Sequence, residues 1–340
     1  MIQNYFKIAY RSLLRNSSFS FINILGLAGG MAVCMFILTL IIDQNNIDTF
    51  HTKEDRIQRV VSLDGSNLYA TAPVLVKEEL LNTFSGVEKV AAIRRTWSLD
   101  MKFGEKSIPF EGLYSTPSFF ELFDFDLLIG DEKTSLEQPY SIILKEEIAE
   151  KLGVNAADIG KAISINDWGD FKLTGILKKP IEKTHLKFDF LISEATMKPL
   201  LLAEKGNYKP DSWDDTWSTY VYFLLKENAS PKSISAELPV FSKRIYADAE
   251  RKLEFQLQPL SEVSPSKIVN NELSMSMPVM LLTFLSALAL LVLLTACFNY
   301  TNLSVAKSLT RVKEIGIRKV IGARRHSIML QFMAEAVLTA

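Results

Sequence analysis

Two long stretches without a charged residue constrain the fold of this chain more than any other feature. Residues 21–42 read FINILGLAGGMAVCMFILTLII, and residues 278–298 read PVMLLTFLSALALLVLLTACF. A helix rises about 1.5 Å per residue and the hydrocarbon core of a bilayer is about 30 Å thick, so each stretch is long enough to span a membrane. The first stretch is too long for the core of a cleaved signal peptide, and no A-x-A pattern follows it. The sequence therefore predicts two transmembrane helices.

The positive charges flanking these stretches predict their orientation, because Lys and Arg concentrate on the cytoplasmic side. Residues 1–20 carry three basic residues and no acid, and residues 299–326 carry seven basic residues and one acid. We therefore expect the amino terminus in the cytoplasm and residues 43–277 outside it. The outer region holds 28 basic and 37 acidic residues. Its net charge near −9 argues against nucleic acid as a partner.

Residues 1–20 have the pattern of an amphipathic helix lying on the inner membrane surface. Apolar residues recur at intervals of three and four, while Lys7, Arg11 and Arg15 form a basic stripe. The alternative is a positive flank that only sets the topology. In the first apolar run, Gly26 and Gly30 are spaced to let another helix approach closely, although glycine is common in membrane helices anyway.

The outer region, 43–277, predicts an α+β domain, because strands, hairpins and helices are mixed without regular βαβ repeats. Hairpins are expected around Gly104 and Gly169. Further strands are expected from residue 57 and at 90–94, 220–225 and 253–257. Helices are expected at 71–84 with Thr71 as the cap, at 144–152 ending at Gly153, and at 231–249.

No catalytic, cofactor-binding or metal-binding signature is present in the sequence. It lacks the phosphate-binding G-x-x-x-x-G-K-[ST] and the nucleophile motif G-x-S-x-G. The three histidines, His51, His185 and His326, are scattered, and no C-x-x-C occurs, so a metal site is not expected. We therefore predict that the chain is not an enzyme and holds no cofactor.

The informative segment is cytoplasmic. After residue 298 the helical pattern continues, so the second span is expected to extend into the cytoplasm as a stalk. Residues 314–325 then form a short helical unit in which aliphatic residues are exposed among basic ones, a pattern suited to docking into a groove of a partner. The alternative is a basic loop lying on anionic lipid headgroups. The predicted interface residues are Glu314, Ile315, Gly316, Ile317, Arg318, Lys319, Val320, Gly322, Ala323, Arg324 and Arg325.

A third apolar run begins after this segment, and residues 327–340 predict the start of a third membrane helix. Thirteen residues, 328–340, are too few to span a bilayer, so we expect the sequence to be a fragment of a longer membrane protein. Glu335 lies inside this run. Because a carboxylate is costly in lipid, we expect it to face protein or a polar cavity.

Several of these motifs resemble a known family. The segment EIGIRKVIGARRHSIMLQFMAEA is similar to the cytoplasmic segment of FtsX-like, MacB-type ABC transporter permeases. The amino-terminal RSLLRNSSFSFINILGLAGGMAV resembles the start of such permeases in Bacteroidetes-like bacteria. The outer segments FFELFDFDLLIGD, ISINDWGDFKLTGILKKP and LQPLSEV are similar to the periplasmic core domain of that family.

The resemblance implies an inner-membrane, multi-pass permease with a periplasmic domain of two α+β lobes at 43–277. It implies a homodimer or pseudo-dimer whose coupling helix, at 314–325, rests on a cytoplasmic ABC ATPase. In MacB the ATPase is fused in front of the first span; this sequence begins almost at that span, so we expect a separate ATPase subunit. The family works by mechanotransmission, in which ATP-driven movement of the stalks reshapes the periplasmic domains.

The resemblance leaves a periplasmic partner and a lipoprotein, peptide or drug-like substrate open. The main alternative is a membrane receptor with an extracytoplasmic sensing domain between two spans. A receptor would pass from its second span into a linker and a signalling domain, whereas here an apolar run follows at residues 328–340.

Overall fold

The computed structural model describes residues 17–96, 98–179, 183–203, 205, 211–310, 312–322, 325–326, 328–330 and 333, without the side chains of 17–20, 23, 167, 303–304, 307–308, 310, 313–315 and 318. The chain divides into two compact units. One comprises the terminal segments 1–43 and 280–340, and the other comprises the intervening residues 44–279.

The terminal unit contains two long apolar helices and one short helix. They are α1 (Ser17–Asn45), α7 (Val279–Thr310) and α8 (Val312–Val320). Ile24–Asn45 and Val279–Asn302 are apolar and long enough to cross a membrane. The 32 residues of α7 correspond to about 48 Å, well beyond the roughly 30 Å of a hydrocarbon core. The expected extension of the second helix beyond its apolar run is therefore present.

The predicted amphipathic helix at 1–20 lies outside the described residues up to residue 16, and α1 begins at Ser17. Of the third apolar run only residues 328–330 and 333 are described, and they are helical. Glu335 lies outside the described residues. Both expectations stay predictions.

The intervening unit contains one mixed sheet and five short helices in its described part. The helices are α2 (Val76–Thr83), α3 (Ser118–Leu122), α4 (Glu146–Leu152), α5 (Met197–Leu202) and α6 (Pro231–Ile245). The strands are β1 (Ile57–Asp64), β2 (Asn67–Tyr69), β3 (Val87–Arg95), β4 (Leu99–Phe103), β5 (Lys106–Phe110), β6 (Gly112–Ser115), β7 (Leu127–Ile129), β8 (Ser141–Lys145), β9 (Ala162–Ile165), β10 (Gly169–Leu177), β11 (Phe190–Ser193), β12 (Thr219–Leu225) and β13 (Leu253–Pro259).

The strands form a single hydrogen-bonded path in the order β13-β1-β12-β3-β6-β11-β8-β10-β9-β4-β5, with β2 beside β1 and β7 beside β10. Only the β10–β8 and β11–β6 pairs are parallel, and the other described pairs are antiparallel. The predicted α+β class is confirmed. The two expected lobes share this one sheet, although a separate hydrophobic core of residues between Leu99 and Leu200 fills the β4–β5 end.

The interior strand β12 illustrates how this part of the sheet is covered on both faces. All seven of its residues are buried. Alternate side chains of a strand point to opposite faces. Tyr220 and Tyr222 accordingly pack into one core with the helix α3, while Val221 and Phe223 pack into another with α2 and α6. A run of β-branched and aromatic residues suits a strand that is buried on both sides.

Both predicted hairpins are confirmed: β4 pairs with β5 and β9 with β10 in antiparallel register. Helix α4 ends at Gly153, which has φ +77°, as expected for a left-handed helix stop. Its predicted start was two residues early, because Leu144 and Lys145 belong to β8. The expected helix at 231–249 is shorter, ending at Ile245.

The predicted helix start at Thr71 is wrong. Helix α2 begins only at Val76, because the Ala72 N–H donates to the Thr219 carbonyl (2.9 Å) and holds this segment extended beside β12. The Thr71 hydroxyl donates to the Thr216 carbonyl instead of capping the helix. The short strands β2, β6, β7, β8 and β11 were not predicted.

Gly112 in β6 offers a test of this packing. A Cβ at this position would lie 2.1 Å from the ring of Phe190, its partner across the β6–β11 pair. We expect Gly112→Ala to lower the free energy of unfolding by about 1–3 kcal/mol through overpacking. Denaturant unfolding followed by tryptophan fluorescence measures the change. In a protein that also carries Phe190→Leu, Gly112→Ala should lower the free energy of unfolding much less. An equal loss of stability would contradict the close contact between Gly112 and the Phe190 ring.

Candidate functional site

The predicted coupling segment forms α8 and the turn that follows it. Its aliphatic side chains are strongly exposed: Ile317 is 53%, Val320 89% and Ile321 79% accessible. The turn at Ile321-Gly322 is closed by a bond from the Gly322 N–H to the Lys319 carbonyl (3.2 Å), and Gly322 has φ +93°, which favours glycine. The segment thus presents an apolar surface of its own.

The remaining predicted residues of this segment fall into two groups. Gly316, Lys319 and Arg325 are exposed, so positive charge flanks the apolar side chains. Glu314, Ile315 and Arg318 lie in α8, but their side chains are outside the described part; Ala323 and Arg324 lie outside it altogether. The assignment of the segment as a partner interface stays a prediction.

Gly26 and Gly30 lie on the side of α1 that faces α7. A Cβ on Gly30 would lie 3.1 Å from the Ala296 Cβ, and one on Gly26 would lie 3.3 Å from the Asn299 side chain. A Cβ on Gly29 would meet nothing within 4 Å. The thiol of Cys34 reaches the Ala289 carbonyl of α7 at 3.4 Å. The two apolar helices are therefore in close contact along this glycine-containing face.

The intervening unit contains a buried polar cluster around Asp48, which lies just beyond the end of α1. Its carboxylate accepts hydrogen bonds from the Thr184 hydroxyl (2.7 Å) and the His185 N–H (3.1 Å). The His185 Nδ1 lies 2.6 Å from Asp48 Oδ2, and its Nε2 lies 2.7 Å from the Tyr222 hydroxyl. A carboxylate only accepts, so Nδ1 carries the proton, and in a neutral ring Nε2 accepts from Tyr222.

A second histidine approaches the same carboxylate. His51 Nδ1 accepts a hydrogen bond from the Asp124 backbone N–H (3.0 Å), so Nε2 carries the proton in the neutral ring. That Nε2 lies 3.7 Å from Asp48 Oδ1 and has no hydrogen-bond partner in the described part of the chain. His51 and His185, which the sequence left scattered, thus come together. Among the described residues they form no group that fits a metal ion.

The cluster continues to Arg59, which is fully buried on β1. Its guanidinium binds Glu272 in a bidentate pair, with both distances 2.6 Å, and donates from Nε to Gln258 Oε1 at 3.1 Å. Arg59 and Tyr222 are direct partners across the β1–β12 pair, and the guanidinium lies 6.0 Å from the tyrosine ring centre. Five side chains therefore follow one another from the end of α1 to the segment before α7: Asp48, His185, Tyr222, Arg59 and Glu272.

The ends of the two apolar helices are also joined directly. Gln44 Oε1, at the end of α1, accepts from the Met277 backbone N–H (3.0 Å) and the Ser264 hydroxyl (3.2 Å). The Val279 N–H donates to the Ser266 carbonyl at 2.9 Å, so the chain entering α7 is anchored in the domain. Neither this junction nor the polar cluster was predicted. The only sequence signal was charged or polar residues in otherwise apolar strands, as at Arg59.

Comparison with known proteins identifies the family. A family model described as the MacB-like periplasmic core domain matches residues 20–239, and one described as the FtsX-like permease C-terminal matches residues 276–340. The chain belongs to the MacB/FtsX-type ABC transporter permeases. The periplasmic-domain match and the two apolar helices together indicate an inner-membrane protein.

Two relatives and one solved structure illustrate this family membership. A segment of 61 residues is 44% identical to the macrolide export ATP-binding/permease protein MacB of Bdellovibrio bacteriovorus, covering 18% of this chain and 9% of that protein. A segment of 191 residues is 27% identical to MacB of Chlorobium luteolum, covering 56% and 26%. The matched segments thus span about a quarter or less of these relatives.

The solved structure is a domain of a Porphyromonas gingivalis protein described as a permease. It superposes with a TM-score of 0.51 at 18% identity, covering 62% of this chain and 92% of that one. At this identity the likeness supports the fold of the permease domain alone.

Electrostatics keep the polar cluster of this permease charged. Burial raises the pKa of the Asp48 carboxyl, but the electrostatic interaction with His185 and the hydrogen bonds from His185 and Thr184 outweigh burial, so the pKa lies well below its usual value. Burial lowers the pKa of Arg59, but the paired Glu272 carboxylate outweighs burial and holds the guanidinium charged. Burial raises the pKa of Tyr222, which therefore keeps its proton.

The lowered pKa of Asp48 predicts a pH-dependent stability. The ionised carboxylate stabilises the fold above the unfolded pKa of about 3.9, and this contribution is lost as the pH falls towards the lower folded pKa. We expect Asp48→Asn to cost about 3 kcal/mol at pH 7, because it removes one partner of a buried pair. The difference from wild type should shrink as the pH is lowered from about 5 to 3.

Denaturant unfolding at several pH values measures this difference. Asp126→Asn is the matched control, because that exposed carboxylate lies 3.9 Å from Lys178 and should contribute less than about 1 kcal/mol at any pH. A cost for Asp48→Asn that did not change between pH 7 and pH 3 would contradict the assignment.

Proposed function

We propose that this chain is a non-catalytic permease subunit that couples ATP hydrolysis by a separate cytoplasmic ABC ATPase to movement of its periplasmic domain. The observation that carries the proposal is α8, a short helix with exposed aliphatic side chains that follows directly on the long helix α7. A soluble helix rarely leaves such residues uncovered, so the surface suits a groove in a partner. The FtsX-like match over residues 276–340 supports a permease rather than a receptor.

Helix α7 supplies the mechanical connection in this proposal. Its 32 residues exceed the length needed to span the bilayer, and α8 begins two residues after its end. Because a helix is stiff along its axis, a displacement of α8 by the ATPase would be carried to the other end of α7. That end is anchored in the periplasmic domain through Ser266 and Gln44.

The recognition of the ATPase would combine apolar packing with charge. Ile317 and Val320 are three positions apart on α8 and lie on one side of the helix. Ile315 would extend this apolar surface, while Arg318, Lys319, Arg324 and Arg325 would orient the acidic rim of a groove. Glu314, Gly316, Gly322 and Ala323 would complete the interface. Anionic headgroups of the inner leaflet would attract the same basic residues when the ATPase is absent.

The acidic outer domain would be the part that does work in the periplasm. We propose a homodimer or pseudo-dimer whose domains act on a lipoprotein, peptide or drug-like substrate, with a periplasmic partner where export requires one. ATP would be bound by the partner ATPase.

The docking surface can be tested by charge substitution. Ile317→Asp and Val320→Asp should each weaken binding of the ABC ATPase by about 2 kcal/mol, or roughly 30-fold, because burying an unpaired carboxylate in an apolar groove is costly. Co-purification with the tagged chain and ATP hydrolysis by the purified complex measure the loss.

Val240→Asp is the matched control, because Val240 is a 70% exposed valine on α6 of the outer domain. It should leave ATPase binding unchanged. Membrane insertion is checked for all variants by carbonate extraction. ATPase binding that survived both α8 substitutions would contradict the docking surface.

The proposed topology can be tested by labelling single cysteines. With Cys34 and Cys297 replaced by serine, Lys267→Cys should react with an impermeant maleimide on the outer side, because Lys267 is exposed and precedes α7. Lys319→Cys should react only after the membrane is permeabilised. Labelling of Lys319→Cys from outside would place α8 beyond the reach of any cytoplasmic ATPase.

A further inference from the structure

The buried series of side chains from Asp48 to Glu272 begins close to the end of α1 and ends close to the start of α7. Asp48 lies three residues after α1, which ends at Asn45, and Glu272 lies seven residues before α7, which begins at Val279. Between them, Tyr222 and Arg59 are cross-strand partners on β12 and β1, two neighbouring strands close to the β13 edge of the sheet. The five side chains therefore connect the entry points of both apolar helices through these two strands.

The hydrogen bonds at the two ends of this series of side chains are short and buried, and between them the Arg59 guanidinium packs 6.0 Å from the centre of the Tyr222 ring. His185 lies 2.6 Å from Asp48 and 2.7 Å from Tyr222, and Arg59 lies 2.6 Å from both Glu272 oxygens. Asp48, His185, Tyr222 and Arg59 are each at most 2% exposed. Charge-assisted hydrogen bonds in such surroundings are strong and directional, and leaving one partner unpaired is costly. These five side chains are therefore expected to move together rather than to separate at a single contact.

The backbone is also restrained at both ends of this series of side chains, at Asp48 and at Glu272. Asp48 has φ +66°, and its N–H donates to the Lys183 carbonyl at 2.9 Å, so the turn after α1 is held on the segment that carries His185. Arg95 on β3 donates to the Glu272 carbonyl at 2.9 Å, and Tyr220 donates to the Asn271 carbonyl at 3.0 Å. The segment before α7 is thus held on β12, the strand that carries Tyr222, and on the neighbouring strand β3.

We propose that Asp48, His185, Tyr222, Arg59 and Glu272 are positioning residues that transmit movement of α1 and α7 to strands β1 and β12 of the periplasmic sheet. This inference rests on the proposed mechanotransmission and deepens it, because it assigns the transmission to five named side chains. The direct junction at Gln44 joins the two helix ends to each other. The five-residue chain joins both of them to the sheet.

The test displaces the helices without any ATPase. A Cβ at Gly30 would lie 3.1 Å from the Ala296 Cβ, so Gly30→Leu should displace α1 from α7, whereas a Cβ at Gly29 meets nothing within 4 Å and Gly29→Leu is the matched control. Each substitution is made in the full chain in lipid nanodiscs. Hydrogen exchange is then followed by mass spectrometry in β1, β12 and the segments 46–53 and 266–278.

Tyr222→Phe removes one hydroxyl and interrupts the chain at its centre. Tyr246→Phe is the matched control, because Tyr246 is also buried and its hydroxyl donates to the Trp213 carbonyl (2.8 Å), away from both helix entries. Glu272→Gln interrupts the other end and serves if Tyr222→Phe does not fold. Folding of every variant is checked by thermal unfolding.

We expect Gly30→Leu, but not Gly29→Leu, to accelerate exchange in β1 and β12 several-fold. With Tyr222→Phe or Glu272→Gln the acceleration in these strands should fall by at least half, while segment 46–53 still responds. With Tyr246→Phe it should be unchanged. A purely structural role would alter the basal exchange but not the response to Gly30→Leu.

Two results would overturn the proposal: strands that do not respond to Gly30→Leu, or a response that survives both Tyr222→Phe and Glu272→Gln. Failure of ATPase binding at α8 would leave this measurement interpretable, since no ATPase takes part in it. The two proposals therefore fail separately.

Discussion

The intervening unit, residues 44–279, depends on how one buried positive charge is neutralised. Arg59 lies on β1 with no exposed surface, where an unpaired guanidinium would cost several kcal/mol. Its carboxylate partner, Glu272, is supplied by the segment that leads into the second apolar helix. That segment must therefore fold back over β1 before the chain enters α7. The need to neutralise Arg59 thus fixes the path of this connecting segment across β1.

The same requirement explains why the polar side chains form a line rather than isolated pairs. Tyr222 lies beside Arg59 because the two residues are cross-strand neighbours, and its hydroxyl then needs a partner inside the core. His185 provides that partner and in turn needs an acceptor for its other nitrogen. Asp48 supplies it from the turn after α1. Satisfying each buried polar group in turn leads from one helix entry to the other.

The family membership and the geometry complement each other. The family models place a periplasmic core domain before an FtsX-like permease segment, and the structure shows a mixed sheet followed by a long helix and the exposed α8. For the function, the informative residues are those that remain uncovered. Ile317, Val320 and Ile321 are exposed on a segment that carries positive charge, whereas the charged residues of the sheet core are buried and paired.

Patterns that repeat over a few residues were sufficient to predict much of the secondary structure of this protein. The uncharged runs, the two hairpins, the stop at Gly153 and the α+β class follow from local periodicity, charge and turn chemistry, which depend only on near neighbours in the chain. The short strands β6, β8 and β11 carry no such pattern, because their pairing partners decide them. Asp48, His185, Tyr222, Arg59 and Glu272 are far apart in sequence, and only the strand order brings them together. The sequence alone therefore determined the two membrane-length runs, the two hairpins and the helices at 146–152 and 231–245. The tertiary structure decided which buried charges meet, because that depends on contacts between residues that no local pattern relates.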